Sequence, residues 1–169
     1  MNYFSGVTTV EDVKALYRKL AMKYHPDRGG DTATMQALNA QYHDALSMCH
    51  GQERQVDDQT WTYYYSYDAE QEIVEVIDAT LAANILNANH NFSLIGKWLW
   101  ITGDTKPIRS ALKELGYRWH SKRQAWYWRA NTGRKHVYNK RASLADLAAH
   151  YGASGIFVSE QENRKGELA

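Results

Sequence analysis

Cysteine is almost missing from this 169-residue chain. Cys49 stands alone, so no disulfide can close within the chain and no multi-cysteine zinc site can be built. No apolar run approaches the roughly 18 residues that a membrane helix requires. The N-terminal stretch MNYFSGVTTVEDVK lacks the apolar centre of a signal peptide. A cytoplasmic protein without a membrane partner is therefore the expectation. A glycine-rich phosphate loop, a serine nucleophile elbow and a spaced series of zinc ligands are also lacking, so neither an enzyme nor a bound cofactor or metal is expected. His25, His43 and His50 have no companions at a recognised ligand spacing.

Positive charge is missing from one stretch in particular. Residues 61–87 hold five acidic side chains and no Lys or Arg, and residues 1–60 hold six basic against eight acidic. Residues 88–141 reverse this, with twelve Lys/Arg against only Asp104 and Glu114. The overall charge of +1 thus hides a strongly basic segment, which bears on partners rather than on fold. What the chain has in plenty is aromatic side chains, six Trp and twelve Tyr within a 44% hydrophobic composition. It reads as globular, with length for one ordinary domain or two small ones.

The first sixty residues predict two helices. Thr8 or Thr9 can cap a helix with Glu11 and Asp12 in its first turn, where the helix dipole favours acids. Val13, Leu16, Tyr17, Leu20 and Tyr24 recur at three- and four-residue steps as a stripe for burial, and Lys14, Arg18 and His25 fall on a neighbouring stripe. Pro26 stops this helix, since it has no N–H and disfavours helical geometry at His25. After Gly29 and Gly30, Asp31 or Thr32 can cap a second helix to about Met48, with Met35, Leu38, Tyr42, Ala45, Leu46 and Cys49 repeating. The two stripes would zip into an antiparallel hairpin with His25, Pro26 and Asp27 at its exposed corner.

The segment VEDVKALYRKLAMKYHPDRGGD, within residues 3 to 49, resembles the second helix and signature loop of a J-domain, the module by which co-chaperones stimulate DnaK-type (heat-shock 70) chaperones. The resemblance rests on YRKLAMKYHPD as a whole, not on the tripeptide alone. It implies that His25, Pro26 and Asp27 stimulate the partner's ATP hydrolysis, with Asp27 engaging an arginine near the junction of its nucleotide domain and linker. It further implies that Lys14, Arg18, Lys19 and Lys23, assisted by Arg28, dock an acidic surface of that chaperone. Long basic side chains steer such encounters, and a carboxylate–guanidinium pair fixes geometry. The chain departs from the family in having only NYFSGV where a first helix belongs. It also lacks a fourth helix after Cys49, a Gly/Phe-rich linker and a Cys-x-x-Cys region.

HGQERQVDDQT, residues 50–60, reads as a linker, and WTYYYSY after it as a strand or an aromatic layer. From about Ala69 to Leu86, Ile73, Ile77, Leu81 and Ile85 predict an acidic amphipathic helix that could dock on the basic segment following it. FSLI and KWLWIT around Gly96 form a candidate hairpin. Thr105 can cap a helix ending at Gly116, and YRWH and AWYWR form a second hairpin. The expected fold class is α+β: a J-domain-like helical hairpin (1–50), a linker and aromatic segment (51–68), a basic, Trp-rich β-β-α-β-β domain with its preceding helix (69–152) and a tail (153–169).

If the tryptophans of this unit pack on its helix, Lys97, Arg118, His120, Tyr127 and Arg129 share the other face, able to hold phosphates and stack a base. If they face outward, the aromatic surface is larger and needs a partner. Lys122, Arg123, Arg134 and Lys135 extend the basic set toward RKHVYNKR. A plain solvated rim around a Trp core is the competing reading. The tail also resembles the W-x-W-I-x-G…WYWR segment that accompanies small J-domains in phage and mobile-element proteins. SLADLAAHYG, 143–152, predicts a short helix like the first half of a helix-turn-helix, with no convincing recognition helix after it. Three functions compete: a co-chaperone recruiting a DnaK-type chaperone to a client or nucleoprotein complex, a nucleic-acid-binding module on a J-like scaffold, and an adaptor for an acidic protein.

Overall fold

The computed structural model of the chain describes residues 1–56, 59–131, 143–151 and 153–157. Helix α1 (Val10–Tyr24) begins where Thr9 leaves helical geometry and its hydroxyl oxygen accepts from the Asp12 backbone N–H at 3.2 Å. Helix α2 (Thr32–Met48) is capped in the same way by Asp31, which accepts from the Thr34 N–H at 2.8 Å. The two run back alongside each other, as the spacing predicts. Val13, Tyr17 and Ala21 bury against Met35, Leu38, Tyr42 and Leu46, with the Tyr17 and Tyr42 rings stacked at 4.1 Å. The Tyr17 hydroxyl donates to Asn39 Oδ1 at 2.9 Å, so the ring is fixed at both ends.

The expected linker is corrected. Strands β1 (Glu53–Val56) and β2 (Gln59–Thr62) pair antiparallel as a two-stranded hairpin. ERQV has no alternation of apolar and polar residues, so period two could not announce it. Helix α3 (Tyr67–Ala82) follows and buries Ala69, Ile73, Val74, Ile77 and Leu81.

A five-stranded sheet holds the rest. Its strands are β3 (His90–Ile95), β4 (Trp98–Gly103), β5 (Arg118–His120), β6 (Ala125–Arg129) and β7 (Ala153–Phe157), ordered β5-β6-β4-β3-β7 with every neighbour antiparallel. Helix α4 (Arg109–Glu114) joins β4 to β5, giving the predicted β-β-α-β-β order. It starts later than expected: Thr105 does not cap it but accepts through its carbonyl from Ile108 in a preceding turn. Helix α5 (Leu144–Tyr151) matches its prediction. A strand, not a recognition helix, comes next, which removes the helix-turn-helix reading. The fold is α+β.

The tryptophans divide between the faces of this sheet. Leu99 and Ile101 of β4, Phe92 and Leu94 of β3 and Trp126 of β6 join the main core, with Trp128 packed against it. Trp100 lies with Ile95, Ala125 and Leu147 of α5 in a second cluster on the other face, where Trp98 and Tyr127 also pack. Neither uniform expectation for the tryptophans holds, because β4 and β6 present them in opposite phase.

The interior does not split near residue 50. One continuous core runs from Phe4 through α1, α2 and α3 to Leu112 and Ala130. The expected division into a 1–50 unit and a 69–152 unit therefore coincides with no break in packing.

Candidate functional site

The corner after α1 is built by backbone bonds. The His25 N–H still donates to Ala21 O at 2.9 Å, but its ψ of 131° ends the helix, and Pro26–Arg28 form a single 3-10 turn. The carbonyl of His25 accepts from both Arg28 N at 2.9 Å and Gly30 N at 3.0 Å. Gly29 adopts φ +91°, a left-handed geometry that glycine enters without steric cost. At Gly30 a side chain is excluded outright, since a Cβ would stand 1.9 Å from Tyr24 O.

The histidine itself is buried. His25 is 6% exposed, and its Nδ1 accepts from the Asp27 N–H at 3.3 Å, capping the turn from inside. The Asp27 carboxylate reaches outward, 53% exposed and 4.0 Å from that nitrogen. The accepting role describes this nitrogen better than an ion pair, because 4.0 Å is beyond hydrogen-bond reach. Of the expected exposed triplet, Pro26 and Asp27 are on the surface and His25 is their internal brace. Burial of Asp78 on α3 raises its pKa, against a smaller opposing effect of His25.

The basic face of α1 divides in two. Lys19, Lys23 and Arg28 are exposed around the corner, with Lys23 over the Tyr24 ring at 5.0 Å. Lys14 and Arg18 are 4% and 2% exposed, which corrects their expected place on an open docking surface. Lys14 Nζ sits 3.2 Å from Glu70 Oε1 and donates to Gly96 O at 3.1 Å. Arg18 Nη1 reaches Leu94 O at 3.5 Å, beside the irregularity in β3–β7 pairing between Ser93 and Leu94. Burial pulls the Arg18 guanidinium down to about 9 against a smaller opposing effect of Tyr42. Glu70, fully buried, also accepts from Tyr63 OH at 2.8 Å and Tyr42 OH at 3.5 Å. The acidic helix α3 meets the segment after it, with Thr80 Oγ1 2.9 Å from Tyr117 OH and Glu72 accepting from the Asn131 N–H at 2.8 Å, but turns this carboxylate onto α1. His43 is likewise committed, its ring nitrogens meeting Tyr65 OH at 3.1 Å and Gln71 Oε1 at 2.9 Å.

The second set of candidates lies mostly on the outer face of the sheet. Register puts Arg118 of β5 opposite Tyr127 of β6, Tyr127 opposite Trp100 of β4, and Arg129 opposite Trp98. Trp98 and Trp100 stack at 5.8 Å with planes 11° apart, and Tyr127 leans on both at 5.6 and 5.5 Å. Arg129 stands over Trp98 at 5.5 Å and Arg123 over Trp100 at 5.6 Å. Arg123 Nη1 is 2.8 Å from His120 Nε2, and the Arg123 backbone N–H is 3.3 Å from Nδ1 of the same ring. Burial and then the Arg123 charge lower the His120 pKa. Lys122 is exposed in the β5–β6 turn and Lys97 is half-buried in the β3–β4 turn, off the strand alternation assumed for it. Arg134 and Lys135 lie outside the described residues.

No family model matches the chain, and no solved structure matches it. Over 31 residues it is 55% identical to the small t antigen and to the large T antigen of Budgerigar fledgling disease virus. That match takes in 18% of this chain and spans about a fifth, 21%, of the small t antigen and 5% of the large T antigen.

Proposed function

We propose that the chain is a non-enzymatic co-chaperone that engages a DnaK-type heat-shock 70 chaperone through the Asp27 corner and stimulates its ATP hydrolysis. The observation that carries this reading is the corner itself: a braced, helix-ending turn that holds the Asp27 carboxylate outward while His25 stays inside. The short match to the T antigens agrees with it, since those proteins carry a J-domain at the N-terminus. A carboxylate on a rigid turn loses little conformational freedom when it pairs with a guanidinium, which favours it as the specific contact. Lys19, Lys23 and Arg28 supply the steering charge, and Lys14 and Arg18 take no part while the interior is closed.

The test is single-turnover ATP hydrolysis by a bacterial DnaK-type chaperone with the wild-type chain and with Asp27→Asn. Stimulation by the wild type that Asp27→Asn abolishes supports the reading; equal stimulation by both sinks the role given to Asp27.

A further inference from the structure

We propose that the tyrosine-rich surface at the far end of α2 is a docking site for an arginine-bearing, basic segment of another protein, with Tyr67 as its stacking ring and Asp44 and Asp68 as its anionic contacts. This reading is independent of the co-chaperone role.

Met48, Tyr64 and Tyr67 are 83%, 56% and 56% exposed, three of the five most exposed large hydrophobic side chains among the described residues. A chain of contacts joins them into one surface. Met48 ends α2 two residues before His50, whose Nδ1 accepts from the Tyr65 N–H at 3.2 Å and whose ring meets Tyr64 edge-on at 6.0 Å. The Tyr65 hydroxyl is 3.1 Å from His43 Nδ1, and the Tyr67 ring rests on His43 with centroids 4.4 Å apart. His43 is buried and held at its other nitrogen by Gln71 Oε1 at 2.9 Å, so Tyr67 has a fixed support on one side while most of the residue faces water. A segment that only joined β2 to α3 would account for Tyr63 and Tyr65, which pack against the core. It gains nothing from Tyr64 and Tyr67 turned outward, since each leaves apolar area in water.

Charge selects the occupant. Asp44 stands four residues before Met48 on one side of α2, and Asp68 follows Tyr67 in the first turn of α3. Both are exposed, and neither makes an ion pair among the described residues. No Lys or Arg lies in α2 or between residues 59 and 87 to answer them. The occupant is therefore cationic, with a flat portion to lie on tyrosine. A guanidinium meets both conditions, because its plane stacks on an aromatic face while its edge donates to carboxylates; a lysine ammonium is a strongly hydrated point charge and does so less well. Nucleic acid is repelled by the same carboxylates. An uncharged proline-rich segment uses the rings and leaves the acids unanswered. The surface lies about 24 Å along α2 from the Asp27 corner, at 1.5 Å per residue from Thr32 to Met48, so a bound segment and a chaperone do not compete for one place.

The experiment uses the full chain and a labelled peptide of alternating Arg and Ala, read by fluorescence anisotropy at low and moderate salt. An equal-length Lys–Ala peptide and an uncharged proline-rich peptide are compared with it, and sedimentation of the chain alone reads self-association. Expected are salt-dependent binding of the arginine peptide, severalfold weaker binding of the lysine peptide and little of the proline-rich one. Asp44→Asn with Asp68→Asn, two surface changes checked by thermal melting, should weaken binding about fivefold or more. Tyr67→Leu, which keeps apolar bulk over His43, should weaken it about threefold or more. Asp27→Asn should leave it unchanged. No binding of the arginine peptide at low salt overturns the proposal, as does equal binding by the Asp44/Asp68 double variant or by the lysine peptide. Tighter binding of the proline-rich peptide overturns it too, and self-association abolished by the double variant gives the face to a second copy of the chain instead.

Discussion

Two groups of basic side chains in this protein have opposite fates. Lys14 and Arg18 on α1 are enclosed and answered by Glu70 and by main-chain carbonyls of the β3 region. Arg118 and Arg129 on the sheet stay at the surface beside aromatic rings. The chemistry of the side chains is alike and the difference is what stands opposite. A buried cation must be neutralised from within, whereas an exposed one beside a ring is offered outward. Charge along a sequence therefore locates a partner only after the interior has claimed its share.

The strongest way to break this contrast is to remove the internal answer. Glu70→Ala should cost about 3–5 kcal/mol in urea unfolding, because it leaves Lys14 buried and unpaired. Lys14→Met together with Glu70→Gln should recover part of that loss, since no charge then stays buried and an acceptor remains for the Tyr63 hydroxyl. A loss below about 1 kcal/mol for Glu70→Ala would mean that Lys14 escapes to water and that the two groups are not so different. Next in size is Tyr17→Phe, expected to cost about 1 kcal/mol by deleting the bond to Asn39 within the α1–α2 contact. Lys19→Glu with Lys23→Glu should shift stability by less than about 0.5 kcal/mol, as usual for surface sites. The same pair should weaken chaperone stimulation severalfold, measured in the ATPase assay. Unchanged stimulation would place the steering charge elsewhere.

The smallest effect sharpens the other side. His120 should titrate below the ordinary histidine range in an NMR pH series, because burial and Arg123 disfavour its charged form. The unfolded chain then binds this proton more readily than the folded one, so the contribution to stability falls as pH drops through that range. A midpoint at or above the ordinary range would mean that neither burial nor Arg123 acts on this ring.

Much of the architecture was legible before any coordinates. Spacings of three and four residues announced α1, α2 and α3, and Thr9, Asp31 and Pro26 marked the ends of the first two. The β-β-α-β-β order followed from Gly96, Gly116 and the aromatic runs. The β1–β2 hairpin was not legible because its strands carry almost no apolar alternation, and β7 because ASGIF is short and its pairing with β3 is distant in sequence. The helix-ending turn at the corner was legible, but His25 was expected on its surface and is buried, and half of the basic face of α1 was misread. A helical wheel gives the direction of Lys14 and Arg18 but not what lies along that direction. Two segments converge there: Gly96 and Leu94 come from 82 and 76 residues away, and Glu70 from a stretch with no basic residue. On the sheet, the β4–β6 register decided which tryptophans went inward, and no local pattern encodes the phase between two strands.

The distance in sequence between Lys14 and its partners also orders events in time. A ribosome delivers α1 and α2 long before Gly96, so the newly made hairpin carries Lys14 and Arg18 in water, with every cation of α1 open. Glu70 of α3 follows to meet Lys14, and the carbonyls of Leu94 and Gly96 come last, with the sheet. The growing chain thus displays a broader basic face than the finished protein, and the age of the molecule sets which cations a passing partner meets.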